Sequence, residues 1–230
     1  MPTGRATGVV SVFETGREPY AWQVDDFERP APEDLVIYEL LVRDFVGKHD
    51  YATLVDTLDY LERLGVNAIE LMPVNEFEGN ESWGYNTAGY YFAPDKYYGP
   101  AEDLKRFVDE AHRRGIAVIL DLVLNHSYGG PMVDLYLDPS GRPAADNPWF
   151  NAQHNFANTA AHWGRDFDHE SAATQYFVDR VTRYWLEEYR VDGYRFDFTK
   201  GIGNNFKPLS DDWGSRYDAD RVSAIPSGCH

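Results

Sequence analysis

Cysteine and long apolar runs are what the sequence most clearly lacks. A single cysteine, Cys229, cannot form a disulfide within the chain, so the sequence indicates neither an oxidising nor a reducing compartment. No run reaches the roughly 18 apolar residues of a membrane span. The first residues, MPTGRATGVV, also lack the apolar core of a secretion signal. We therefore expect a soluble protein without a signal peptide and without a membrane partner.

Lysine is scarce too, and negative charge dominates. Lysine supplies 5 of the 21 basic residues, 38 residues are acidic, and the formal net charge is −17. Such a surface repels phosphates and anionic lipids, which excludes nucleic acid as a partner and favours a neutral substrate. The acidity is typical of an ordinary acidic enzyme. Adaptation to high salt, which screens carboxylate repulsion, is the alternative.

What is present fits one α/β domain. The chain has 230 residues, 43% of them hydrophobic, which is enough for a substantial core. Four apolar runs are typical of buried parallel strands: 35–42, 67–72, 116–124 and 191–198. Apolar residues at helical spacing predict helices between them, at about 54–64, 100–115 and 172–189. This alternation predicts either a doubly wound sheet or a (β/α) barrel.

The remaining segments divide the chain. The stretch 127–170, rich in Gly, Pro, Asn, Asp and His, is too long for an ordinary loop, so we expect a functional insertion there. Residues 1–34 are interpreted as an N-terminal lead-in. Residues 201–230 show neither helical nor strand periodicity and are interpreted as a tail of uncertain structure.

Polar side chains follow the third and fourth predicted strands. Side chains two apart on a strand share a face, which places Arg195 beside Asp197, and Asp121 with Asn125 on the neighbouring strand. Catalytic groups of a parallel barrel lie at these strand ends. A buried ion pair that only fixes strand register would explain Arg195 and Asp121 equally well. A second carboxylate, Asp197, exceeds what register requires.

Five segments, in order, resemble the α-amylase family of glycoside hydrolases. They are GVNAIELMP (65–73), WGYN (83–86), DLVLNH (121–126), RDFD (165–168) and GYRFDFTK (193–200). The resemblance implies a (β/α)8 TIM barrel, of which only the first four β/α units, 35–200, are present. It also implies that 127–170 is a loop domain inserted after strand 3.

The resemblance also implies residue roles. Asp197 would be the nucleophile, Arg195 would orient it and favour its ionised form, and Asp121 would pair with Arg195. The residues implied to bind substrate are Tyr85, which would stack on the sugar, His126, Trp83 and Lys200. A Tyr-rich loop without a binding role is the alternative for Tyr85. Gly201 replaces the His that the family's amylases usually carry, which leaves the leaving-group side undefined.

A structural calcium ion is implied at two oxygen-bearing residues, Asn125 and Asp166. Loop-capping roles for both residues would explain them as well. No organic cofactor is expected.

The implied activity is α-glucan hydrolysis by retaining double displacement, with starch, glycogen or maltooligosaccharides as substrates. A retaining enzyme needs two carboxyl groups about 5–5.5 Å apart. In the family the acid/base Glu follows the fifth strand, so we expect this chain to be a truncated, inactive form with an open half barrel that self-associates. The alternatives are a complete short protein that pairs with a second copy, a non-catalytic carbohydrate-binding remnant, and, least favoured, an unrelated phosphate-binding barrel.

Overall fold

The computed structural model of the chain describes residues 15–16, 18–130, 132–156, 158–199 and 202. Its strands, in chain order, are β1 Ile37–Leu40, β2 Ala68–Leu71, β3 Asn75–Phe77, β4 Thr87–Pro94, β5 Ala117–Leu122, β6 His126–Ser127, β7 Arg165–Asp166 and β8 Gly193–Phe196. Its α-helices are α1 Val42–Phe45, α2 Tyr51–Leu54, α3 Leu58–Leu64, α4 Ala101–Arg113 and α5 Ala172–Tyr189.

A parallel sheet of four strands, ordered β1-β2-β5-β8, forms the centre of the molecule. These are the four strands predicted from the apolar runs, each somewhat shorter than predicted. One difference is at Val42, which begins α1 instead of ending β1. One face of the sheet packs against the helices through buried side chains such as Ile69, Val118 and Leu120. The opposite face carries the charged residues of the strands, because alternate side chains point to opposite faces.

Helices connect the central strands where the helical periodicity predicts them. The predicted helix at 54–64 consists of α2, a 3₁₀ turn and α3, and it ends at Gly65, whose φ of 84° is left-handed. Leu54, Leu58 and Leu61 are buried, whereas Leu64 is 53% exposed and does not belong to the apolar face. In α4, acidic residues lie in the first turn and basic residues in the last, the order that the helix dipole favours.

Two small antiparallel sheets were not predicted. β3 pairs with β4, and β6 pairs with β7. The β3–β4 ladder shifts register twice, and β6 and β7 have two residues each. Strands this short or irregular show no clear alternation of apolar and polar residues, which explains why the sequence pattern missed them.

The described part of the lead-in packs against the outer helices. Asp109 of α4 accepts hydrogen bonds from the Tyr20 hydroxyl and from the backbone N–H groups of Gln23 and Val24, at 2.9 to 3.3 Å. The Arg190 guanidinium, just after α5, lies 4.6 Å from the ring of Trp22. The predicted tail lies outside the described residues, except for Ile202. In the described ranges, no helix has both the length and the apolar character to cross a membrane.

Candidate active site

Arg195 connects two carboxylates at the end of the central sheet. Its Nη1 donates to Asp197 Oδ1 at 2.5 Å and to both carboxylate oxygens of Asp121 at 3.1 Å. Strand register explains the contact, because Asp121 on β5 is the direct partner of Arg195 on β8. Asp197 follows β8, and its N–H continues the ladder by donating to Leu122 O at 2.9 Å. The structure thus brings together the three residues for which the sequence implied a catalytic role.

Asp121 is the buried member of this group. It is fully inaccessible to solvent, and burial raises its pKa to about 6, although its bonds to Tyr85 and Arg195 oppose that rise. The Tyr85 hydroxyl donates to Asp121 Oδ2 at 2.7 Å. Burial and this hydrogen bond to a carboxylate raise the pKa of Tyr85, so its hydroxyl stays protonated as a donor.

The guanidinium remains charged. Burial disfavours the charge of Arg195, but the hydrogen bonds to Asp197 and Asp121 outweigh it and raise the pKa of Arg195 above its usual range. The Arg195 side chain is 44% exposed and that of Asp197 24% exposed. The pair is therefore open to a ligand, with Asp121 closed off beneath it.

His126 and Tyr85 lie side by side. The His126 ring donates from Nε2 to the carbonyl oxygen of Tyr85, at 3.0 Å. Burial lowers the pKa of His126, so the ring is neutral and carries one proton. The side-chain oxygen Oδ1 of Asn125 lies 3.0 Å from the other ring nitrogen, Nδ1.

The loop that carries Tyr85 is held by a glycine. Gly84 has a φ of 95°, and a Cβ on it would lie 2.5 Å from Pro73 O, so only glycine fits this approach. Trp83, one residue earlier, is 61% exposed. Lys200, the fourth residue implied to bind substrate, lies outside the described residues.

Asp166 is separate from the Arg195 group. It lies on β7 opposite His126 and is buried, which raises its pKa to about 7. Its Oδ2 accepts hydrogen bonds from Asn151 Nδ2 at 2.7 Å and from the N–H of Asn155 at 3.1 Å. His154 Nδ1 lies 4.0 Å from Oδ1, and burial and the neighbouring His162 lower the pKa of His154 to about 4. The hydrogen-bond donors to the Asp166 carboxylate are therefore neutral, and the nearby charge of Asp168 adds to the rise in its pKa.

Two acidic residues of the same face were missed from the sequence. Carboxylate oxygens of Glu39 on β1 and Glu70 on β2 lie within 4.8 Å of each other and of an Asp121 oxygen. Burial, together with the charge of Glu39, raises the pKa of Glu70. The available signal was one charged residue inside each of two otherwise apolar runs.

The chain is similar in sequence to a known protein family and to several characterised proteins. The family model described as "Alpha amylase, catalytic domain" matches residues 43–136. Malto-oligosyltrehalose trehalohydrolase of Saccharolobus solfataricus is 33% identical over 203 residues, which cover 86% of this chain and 33% of that protein. Isoamylase 1, chloroplastic, of Oryza sativa subsp. japonica is 34% identical over 209 residues, covering 78% of this chain and 26% of that protein.

A solved structure is similar as well. Pullulanase type I from Bacillus subtilis, complexed with maltose, superposes with a TM-score of 0.65 and 29% identity. The match covers 80% of this chain and 30% of that one.

The chain belongs to the α-amylase family. Its parallel sheet is accordingly part of the family's (β/α)8 barrel fold, and members of the family are glycoside hydrolases. The chain spans about a third or less of the length of these relatives.

Proposed function

We propose that this chain carries the nucleophile side of a retaining α-glucan active site. Asp197 attacks the anomeric carbon and forms a glycosyl ester as the bond to the leaving oxygen breaks. A second carboxyl group protonates that oxygen and later activates the water that cleaves the ester. The observation that carries the proposal is the single Arg195 guanidinium shared by Asp197 and the buried Asp121.

The neighbouring groups suit an uncharged sugar. Neutral His126 and protonated Tyr85 add no charge beside the sugar, and the Tyr85 ring offers a stacking surface. Trp83 offers an exposed aromatic face near Tyr85, and Lys200 is proposed to contact the sugar beyond Asp197. The net charge of −17 disfavours anionic substrates, so the proposed substrates are starch, glycogen or maltooligosaccharides.

We test the nucleophile with 5-fluoro-α-glucosyl fluoride. Fluoride leaves without a proton donor, so labelling requires only the Asp197 side of the site. The ring fluorine slows breakdown of the ester, which therefore accumulates and is detected by intact mass and peptide mapping. We expect a label on Asp197 and none in Asp197→Asn. Asp179→Asn, at an exposed Asp paired with Arg183 on α5, is the matched control and should label normally.

Starch, unlike the glucosyl fluoride, has a leaving oxygen that must be protonated. We expect no measurable hydrolysis of soluble starch by this 230-residue chain, because the proposal assigns it only the nucleophile side of the site, and general acid catalysis contributes about 10²- to 10⁴-fold. Starch turnover that Asp197→Asn abolishes would show that the chain also supplies the acid. Glucan binding without any label would favour the carbohydrate-binding alternative.

Calcium is proposed between the inserted loop and β5, held by Asp166 and Asn125. The residues fit a hard cation. The buried Asp166 carboxylate accepts hydrogen bonds from neutral groups of Asn151 and Asn155, and a cavity of about 580 Å³ adjoins it. Asn125 adds an amide oxygen, which is also a ligand that calcium prefers. The ion would supply a structural link between the two segments.

The calcium proposal predicts a metal-dependent melting temperature. At pH 8, calcium at about 100 times its dissociation constant should stabilise the chelator-treated chain by about 2.7 kcal/mol, or several degrees. Asp166→Asn should remove this shift, whereas Asp179→Asn should keep it. An unchanged melting temperature in wild type would eliminate calcium from the proposal.

A further inference from the structure

Phe198 directly follows Asp197 and has an unfavourable backbone conformation. Its φ is 49°, in the left-handed region that aromatic residues rarely adopt. The turn comes immediately after Asp197, whose own N–H is still bonded to β5. Such a conformation persists only where the surrounding structure enforces it. The orientation of the peptide between Asp197 and Phe198 therefore depends on what holds Phe198.

Two aromatic rings hold it. The Phe198 ring stacks on Phe156 at a centroid distance of 5.1 Å and an interplanar angle of 30°. It also contacts Trp163 at 4.9 Å and 55°. Both partners belong to the loop between β5 and α5, and all three rings are partly buried. Trp163 in turn lies 6.1 Å from the ring of His126.

The loop that carries these rings is itself fixed. Gly164 has a φ of 59°, and a Cβ there would lie 2.5 Å from Ser127 O, so the backbone beside Trp163 lies against β6. On the other side, His162 Nε2 lies 2.7 Å from Phe156 O, and His162 stacks on His154 at 4.0 Å. The contacts on both sides limit the movement of Phe156 and Trp163.

We propose that Phe198 is a positioning residue for Asp197, clamped by Phe156 and Trp163. The inference rests on the proposed role of Asp197 as nucleophile. None of the three rings needs to touch the sugar. The clamp fixes the turn after Asp197, and thereby the direction in which its carboxylate meets Arg195 and the anomeric carbon. The inserted loop thus controls the reactivity of a residue on a different strand.

The test separates positioning from folding. The experiment uses three variants of the clamp: Trp163→Ala, Phe156→Ala and Trp163→Phe. The control variant is Trp149→Ala, because Trp149 is a partly buried tryptophan of the same loop whose ring contacts Tyr136. Two quantities are measured for labelling by 5-fluoro-α-glucosyl fluoride: the first-order rate constant and the half-saturating concentration. The ¹³C carboxyl resonance of Asp197, assigned by its loss in Asp197→Asn, reports its surroundings without any reaction.

We expect both alanine variants of the clamp to lower the rate constant by about tenfold or more, since small misplacements of a reacting group cost up to about 100-fold. The half-saturating concentration should change less than about threefold, Trp163→Phe should restore most of the rate, and Trp149→Ala should label normally. The Asp197 resonance should move in the clamp variants alone.

Two results would overturn the clamp: an unmoved Asp197 resonance in both alanine variants, or an equal loss of rate in Trp149→Ala. If wild type does not label but the resonance moves in the clamp variants only, the clamp stands and the nucleophile proposal fails.

Discussion

A single guanidinium between two carboxylates gives those carboxylates different properties. Asp121 is buried and also bonded to Tyr85, so its protonation depends on that hydrogen bond as well as on Arg195. Asp197 accepts a hydrogen bond from Arg195 at its Oδ1 and stays partly exposed. The buried carboxylate anchors the guanidinium, and the exposed carboxylate is left to react. Ionisation of Asp121 should therefore govern how well Arg195 holds Asp197.

This dependence predicts a pH profile. Because burial raises the pKa of Asp121 to about 6, the labelling rate should rise through that pH to a plateau as Asp121 ionises and holds Arg195. The Tyr85 hydrogen bond lowers the pKa of Asp121, so Tyr85→Phe should move the midpoint upward by about one unit, the scale of a hydrogen bond to a charged group. The profile is measured at saturating fluoride to remove effects on binding. A midpoint that is unchanged in Tyr85→Phe would show that the ionisation of Asp121 does not determine the pH profile.

Sequence spacing was sufficient for some residues of the site. Arg195 lies on β8 and Asp197 directly after its end, so their contact follows from the two-residue period of an extended chain. Glu39 and Glu70 required the register between β1 and β2, where they are direct partners, and a single sequence does not contain that register. The clamp on Phe198 required the path of a long loop. Local periodicity cannot supply such tertiary contacts.

At the scale of elements, the β4 strand positions the loop after β5 by close backbone contact. Tyr91 donates its hydroxyl hydrogen to His126 O at 2.9 Å, and Tyr128 N–H donates to Thr87 O at 3.0 Å. A Cβ on Gly130 would lie 2.2 Å from Ala88 O, so the two backbones touch. His126 and Tyr85 therefore keep their relation through contacts between elements that the periodicity did not predict. The central strands and the long helices were predictable because each buries a continuous apolar face.

Replacing Gly130 with alanine tests this backbone contact. Gly115 is the matched control, because its φ of 73° is also left-handed but no atom lies within 4 Å of a Cβ placed there. Gly115→Ala should lower the free energy of unfolding by about 1 kcal/mol, the cost of a left-handed alanine. Gly130→Ala should cost about 3 kcal/mol or more, because backbone must also move. Urea denaturation measures both, and equal losses would show that the contact is easily relieved.

At the scale of the molecule, the central sheet has one face covered by helices and one face bearing charge. In the described part of the chain, no further strand pairs with the outer edges of β1 and β8. Val36 and Ile37 beside the β1 edge are 52% and 48% exposed, and Glu39 is exposed. Unpaired edges and exposed apolar side chains favour association with another chain, whereas a net charge of −17 opposes it.

The balance between these two forces predicts a salt dependence. The Debye length falls from about 10 Å at 0.1 M salt to about 3 Å at 1 M, which screens repulsion between copies but leaves the apolar attraction. The 230-residue chain should therefore self-associate more as salt increases, as measured by light scattering from 0.05 to about 1 M sodium chloride.

Ile37→Lys, which adds a positive charge and removes an exposed apolar group, separates the two forces. This variant lowers the net negative charge, so charge alone would increase association. If an apolar contact at the β1 edge drives association, losing that contact would weaken association instead. We expect weaker association at high salt in this variant. A monomer at every salt concentration would show that other parts of the chain cover the edge and the open face.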